Sequence, residues 1–155
     1  MTEKGKKKGK APRVAMPEQK PEIRKRNFEE VPTGYTVAMA QEEASRCLQC
    51  RKPACVEGCP VSVDIPGFIK LITEGDLTGA IRNLWGKNAL PAVCGRVCPQ
   101  EIQCEGNCIL TKKGEAVAIG NLERFAADMA RETGKGELPP RAPQTGKRVA
   151  VIGSG

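Results

Sequence analysis

Eight cysteines and no histidine occur in the 155 residues, and the cysteines fall into two groups. The first is Cys47-x2-Cys50-x4-Cys55-x3-Cys59-Pro60; the second is Cys94-x3-Cys98-Pro99-x4-Cys104-x3-Cys108. Thiolates are soft anionic donors, and a closely spaced run of them can hold several corners of one iron–sulfide cube. Structural zinc also takes four thiolates, often from C-x2-C knuckles. Only one such pair is present here, and the remaining spacings within the groups are three to five residues. A disulfide framework belongs to oxidising compartments, whereas the N-terminus lacks the apolar core of a secretory signal. A thioredoxin-type C-x-x-C would need a βαβ context that the sequence does not show. Two 4Fe–4S clusters therefore fit the spacing best, with one-electron transfer as their chemistry. A zinc-stabilised interaction module without redox function is the competing reading.

The ferredoxin run C-x2-C-x2-C-x3-C-P gives three ligands to one cluster, while its last cysteine, before proline, serves a second. The first group has that form with two extra residues between its second and third cysteines. By analogy Cys47, Cys50 and Cys55 share one cluster and Cys59 crosses to the other. Each cluster then needs partners from the second group, which ties the two halves of the domain together. Dividing eight cysteines into four and four makes Cys94 the eighth ligand.

These groups must be carried by helices. The run 36–48 has good helix formers, and Val37, Ala40, Ala44 and Cys47 form a narrow stripe, so a helix there would deliver the first cysteine. Asp64 is a candidate N-cap with Pro66 in the first turn, predicting a helix over 66–73 that stops at Gly75. Asp76 caps the next, whose core stripe is Leu77, Ala80, Ile81, Leu84 and Trp85. Asn121 is the expected cap of the last helix, in which Leu122, Phe125, Ala126 and Met129 recur at helical spacing. No strand alternation precedes residue 147, so the predicted class is all-α.

Composition agrees with a metal-supported fold. Aromatic residues are few, while glycine (17) and proline (12) are plentiful, so metal sites should help hold the domain. The net charge is +7, but Lys4, Lys6, Lys7, Lys8, Lys10 and Arg13 against Glu3 alone put most of it in the first 13 residues. Residues 1–25 read as a disordered basic tail. No basic patch with interleaved aromatics follows, which argues against nucleic acid as a partner. No apolar run is long enough for a membrane span, and a cytoplasmic protein is expected. The cluster domain is placed at 26–133 and a Gly/Pro-rich linker at 134–146. The chain then ends in a short apolar run, Val149 to Ile152, followed by Gly153 and Gly155. That pattern is the opening of an incomplete G-x-G-x-x-G fingerprint, so 147–155 is expected to be the truncated first strand of a Rossmann-type nucleotide-binding domain.

The segments CLQCRKPACVEGCPV, LPAVCGRVCPQEIQCEGNC, AIGNLERF and GKRVAVIGSG resemble the family of the NADPH-dependent glutamate synthase small subunit. The same module is similar to the N-terminal domain of dihydropyrimidine dehydrogenase and to the large subunit of NADH-dependent reduced ferredoxin:NADP oxidoreductase, a bifurcating enzyme. The likeness runs from about Asn27 to the end, leaving the lysine-rich tail outside. It implies an α-helical ferredoxin-like domain with two 4Fe–4S clusters, followed in the parent protein by FAD- and NADPH-binding domains. Electrons would pass between FAD and a partner subunit, the glutamate synthase large subunit or its equivalent. The resemblance assigns one cluster to Cys47, Cys50, Cys55 and Cys108. It gives the other to Cys59, Cys98, Cys104 and a non-cysteine ligand, a glutamine in dihydropyrimidine dehydrogenase and Glu123 here. Cys94 then becomes a small buried neighbour of a cluster rather than a ligand. No catalytic residue is assigned to residues 1–155 alone.

Overall fold

The computed structural model describes residues 11–134 and 142–153. In chain order the helices are α1 (Pro21–Arg24), α2 (Val37–Ser45), α3 (Ala54–Glu57), α4 (Ile65–Glu74), α5 (Leu77–Trp85), α6 (Pro91–Val97) and α7 (Ile119–Thr133). Tight 3-10 turns occupy Gln100–Ile102 and Ile109–Lys112. Among the described residues there is no strand, only an isolated antiparallel bridge between Glu18 and Pro32. No helix among them is long and apolar enough to cross a membrane.

The capping residues fix the central helices. Thr36 accepts the Met39 N–H at 3.3 Å to open α2, and Asp64 accepts the Gly67 N–H at 3.1 Å to open α4. Gly75 ends α4 with φ of 81°, a left-handed turn that glycine adopts without steric cost, and Asp76 then starts α5 by accepting the Gly79 N–H at 2.8 Å. Ile65, Phe68, Ile69 and Ile72 of α4 are buried against Ala80, Ile81 and Leu84 of α5 and Leu122, Phe125 and Ala126 of α7. Each large side chain so buried contributes about 1.5–3 kcal/mol. The all-α class expected from the sequence is the architecture observed.

Three local differences have physical causes. The helix expected over 36–48 stops at Ser45, and Cys47 lies in the following turn, where Gln49 takes a positive φ of 52°. The last helix starts two residues before Asn121. Its free N–H groups are met by carboxylates from elsewhere: Ala118 N–H donates to Glu43 Oε1 at 2.8 Å and Gly120 N–H to Glu105 Oε1 at 3.1 Å. Asn121 instead donates to the Tyr35 hydroxyl at 3.2 Å. Residues 11–25, expected in the disordered tail, run along the domain. Arg13 pairs with Glu105 at 2.6 Å, and Val14 N–H donates to Glu43 at 2.7 Å. The rest of that expected tail, 1–10, lies outside the described residues.

Residues 142–153 have no regular structure, and Val149, Val151 and Ile152 are exposed. A strand forms only by pairing, and this run meets no partner strand among the described residues.

Candidate metal centre

Most of the cysteines sit in turns and at helix ends. Cys47 and Cys50 occupy the turn after α2, Cys55 lies in α3, and Cys59 follows it. Cys94 is in α6 and Cys98 is the cap at its end, while Cys104 and Cys108 bracket the turn before Ile109–Lys112. Cys104 and Cys108 are buried and the other six are half-buried. Turns leave the thiols free to converge without distorting a helix.

The first convergence is direct. Cys47, Cys50, Cys55 and Cys108 line one cavity of about 100 Å³, whose remaining wall is mostly apolar, including Ile65, Ile69 and Val117. Burial, then the proximity of Cys108 and Cys47, pushes the Cys55 thiol up to about 12. Four sulfurs gathered in an apolar pocket repel one another as thiolates, and only a cationic guest reverses that balance. The donor set and its lining therefore fit a thiolate-bound iron–sulfur cluster.

The second convergence is built from four elements. The Cys98 thiol is pushed up to about 11 by burial, then by its charge and hydrogen-bond contact with Cys94, and further by Glu123 and Cys59. Burial first, then Glu105, pushes the Cys104 thiol up to about 12, with Cys59 and Glu123 adding to the rise. Cys98 and Cys104 are thus each within electrostatic reach of Cys59 and Glu123, and Cys98 is also within reach of Cys94. Glu123 is nearly buried, and burial raises its carboxyl to about 7 against the lowering effect of an Asn88 hydrogen bond. Its side chain turns inward from the edge of the α7 stripe, where a solvent-facing helix glutamate would keep an ordinary carboxylate value. Cys94 adjoins this group and is half-buried like Cys59 and Cys98, its Sγ 3.6 Å from Asn88 Oδ1.

Close backbone approach brings the cysteine-bearing segments together. A Cβ on Gly58, between Cys55 and Cys59, would come within 2.8 Å of the Gln103 carbonyl oxygen. The segment carrying one cysteine of each site therefore lies directly on the segment carrying Cys104 and Cys108. A Cβ on Gly95 would lie 2.6 Å from the Arg124 nitrogen and 2.8 Å from the Gly120 carbonyl oxygen. Gly95 is what lets α6, with Cys94 and Cys98, press against α7, with Glu123. No three Cys, Asp or Glu side chains among the described residues form a group suited to a single metal ion. Cys47, Cys50, Cys55 and Cys108 nevertheless line one enclosed volume.

The sequence reading missed α6, although Pro91 in its first turn was an available signal. It also missed Glu43, Asn88 and Glu105, polar residues that each reach at least one partner distant in sequence. Of the incomplete nucleotide fingerprint, Gly153 has φ of 82° in the exposed terminal segment, and Gly155 lies outside the described residues.

A helical, ferredoxin-like domain lined with converging thiols is the class that this fold and site define. The family model described as dihydropyrimidine dehydrogenase domain II, 4Fe–4S cluster, matches residues 24–135, and the chain belongs to that family. It is 43% identical over 92% of its length to the glutamate synthase [NADPH] small chain of Escherichia coli strain K12, covering 30% of that protein. The corresponding small chain of Azospirillum brasilense is 40% identical over 90% of this chain and 30% of its own. The NAD-dependent dihydropyrimidine dehydrogenase subunit PreT of E. coli strain K12 is 38% identical over 83% of this chain and 31% of its own. The chain thus spans less than a third of these relatives. It is an iron–sulfur electron-transfer domain homologous to glutamate-synthase-like oxidoreductases.

Proposed function

We propose that the chain is the two-cluster relay domain of a flavin- and NADPH-dependent oxidoreductase of the glutamate synthase small-subunit type. Cys47, Cys50, Cys55 and Cys108 would hold one 4Fe–4S cluster, and Cys59, Cys98, Cys104 and Glu123 the other. The observation that carries this reading is the convergence of Cys47, Cys50, Cys55 and Cys108 on one apolar cavity, which leaves Cys59, Cys98 and Cys104 outside it. Cys55 and Cys59 flank Gly58, and in this reading Cys108 would serve the first cluster with Cys55, and Cys104 the second with Cys59. When bound, such clusters supply one-electron transfer without proton or group transfer. The chain's own part is to anchor iron through these side chains and to line the first site with apolar groups that exclude water. Burial of the Glu123 carboxylate should set the second site apart electronically, since ligand type and surroundings tune a metal centre.

In this reading the apolar run ending at Gly153 and Gly155 begins a nucleotide-binding domain for FAD, with NADPH bound further on. The partner is the large catalytic subunit of glutamate synthase or an equivalent oxidoreductase subunit. The family membership and the two small-chain relatives support it. Anaerobic purification tests the redox role: a brown protein whose visible absorbance bleaches with dithionite is expected. A colourless protein containing zinc under the same conditions contradicts it.

A further inference from the structure

Asn88 stands between α5 and α6, buried, with 7% of its surface exposed. Its Nδ2 donates to Glu123 Oε1 at 2.6 Å, a distance typical of a strong hydrogen bond to a carboxylate. Its Oδ1 accepts the Leu90 N–H at 2.9 Å and lies 3.6 Å from Cys94 Sγ. One amide therefore touches both side chains that compete for the eighth ligand position. The Leu90 N–H fixes which end of the amide accepts, so the donor end is directed at Glu123. Only a group with a donor and an acceptor on one short planar side chain meets both demands; aspartate and alanine do not.

We propose that Asn88 is the positioning residue of the second site: its amide holds the Glu123 carboxylate in place beside the Cys59, Cys98 and Cys104 group, while the Cys94 thiol contacts the oxygen of the same amide. This rests on Glu123 being a ligand. Second-sphere partners orient metal ligands in this way, and their loss costs metal affinity.

The test uses the anaerobically purified protein and the variants Asn88→Asp, Asn88→Ala, Glu123→Ala and Cys94→Ala. Asn88→Asp keeps the acceptor for Leu90 N–H but replaces the donor facing Glu123 with a like charge. Both Asn88 variants should change the electron paramagnetic resonance line shape and midpoint potential of the second cluster alone. That cluster should also be lost to a ferrous chelator with about 10–100-fold lower apparent affinity. The unchanged signal of the first cluster reports an intact fold. Asn88→Asp with the wild-type line shape, potential and retention would overturn the proposal, leaving Asn88 a residue that only turns the chain at Leu90. Equal loss of both clusters in Asn88→Asp overturns it as well. Glu123→Ala separates this from the underlying assignment: an unchanged second cluster there, with its loss only in Cys94→Ala, contradicts Glu123 as ligand. A changed Glu123→Ala beside a silent Asn88→Asp contradicts only the role of Asn88.

Discussion

Glu43 shows how far from the cysteines the supports of the site lie. Its carboxylate is fully buried and accepts from Val14 N–H, Ala118 N–H and the Arg46 guanidinium at 2.7, 2.8 and 2.5 Å. Arg46 in turn donates to the carbonyls of Ala11, Glu115 and Ala116, joining the N-terminal segment to the start of α7. Removing one member of a buried ion pair leaves the other uncompensated, so Glu43→Ala should destabilise the fold by about 3–5 kcal/mol in denaturant unfolding. A loss below roughly 1 kcal/mol, as for an exposed pair, would mean the network is not buried in solution. Nothing in the sequence marked this residue for burial, because apart from Arg46 three positions on, its partners are 29 and 75 positions away. The cysteines were legible for the opposite reason. A thiolate cluster in a chain without histidine states its chemistry by residue type and short-range spacing alone.

At the scale of elements, glycine decides where segments touch. Gly95→Ala puts a methyl group into the α7 backbone, and overpacking of this kind costs about 1–3 kcal/mol. Because the strain falls between the elements carrying Cys98 and Glu123, the second cluster should weaken while the first persists. Gly58→Ala acts on the contact between 55–59 and 103–108, which serves both sites, so both clusters should weaken together. Iron content and the two resonance signals of each variant check this. The reverse pattern, Gly95→Ala affecting both sites and Gly58→Ala one, would contradict the division of ligands. The helices that position these segments were legible where capping is local, as at Asp64, Gly75 and Asp76. The start of α7 was not, since its N–H groups are met by Glu43 and Glu105 from other parts of the chain, which made Asn121 look like the cap. The terminal run 147–152 could be recognised as strand-like by composition, yet a strand requires neighbours that these residues do not supply.

At the scale of the whole molecule, two metal sites would cross-link the segment 47–59 to 98–123 and supplement a core built mainly on α4, α5 and α7. Stripping iron should therefore lower thermal stability and open the cysteine segments to amide hydrogen exchange. The hydrophobic contact between α4 and α5 should keep its protection. Uniform protection before and after iron removal would contradict that division of labour. The central claim, two separate 4Fe–4S sites, is tested most directly by counting iron and acid-labile sulfide per chain in the anaerobic protein and in Cys55→Ser and Cys104→Ser. About eight of each is expected in the wild type, and roughly half in either variant, with the two variants retaining different resonance signals. About four of each in the wild type, or variants that retain the same signal, would contradict it.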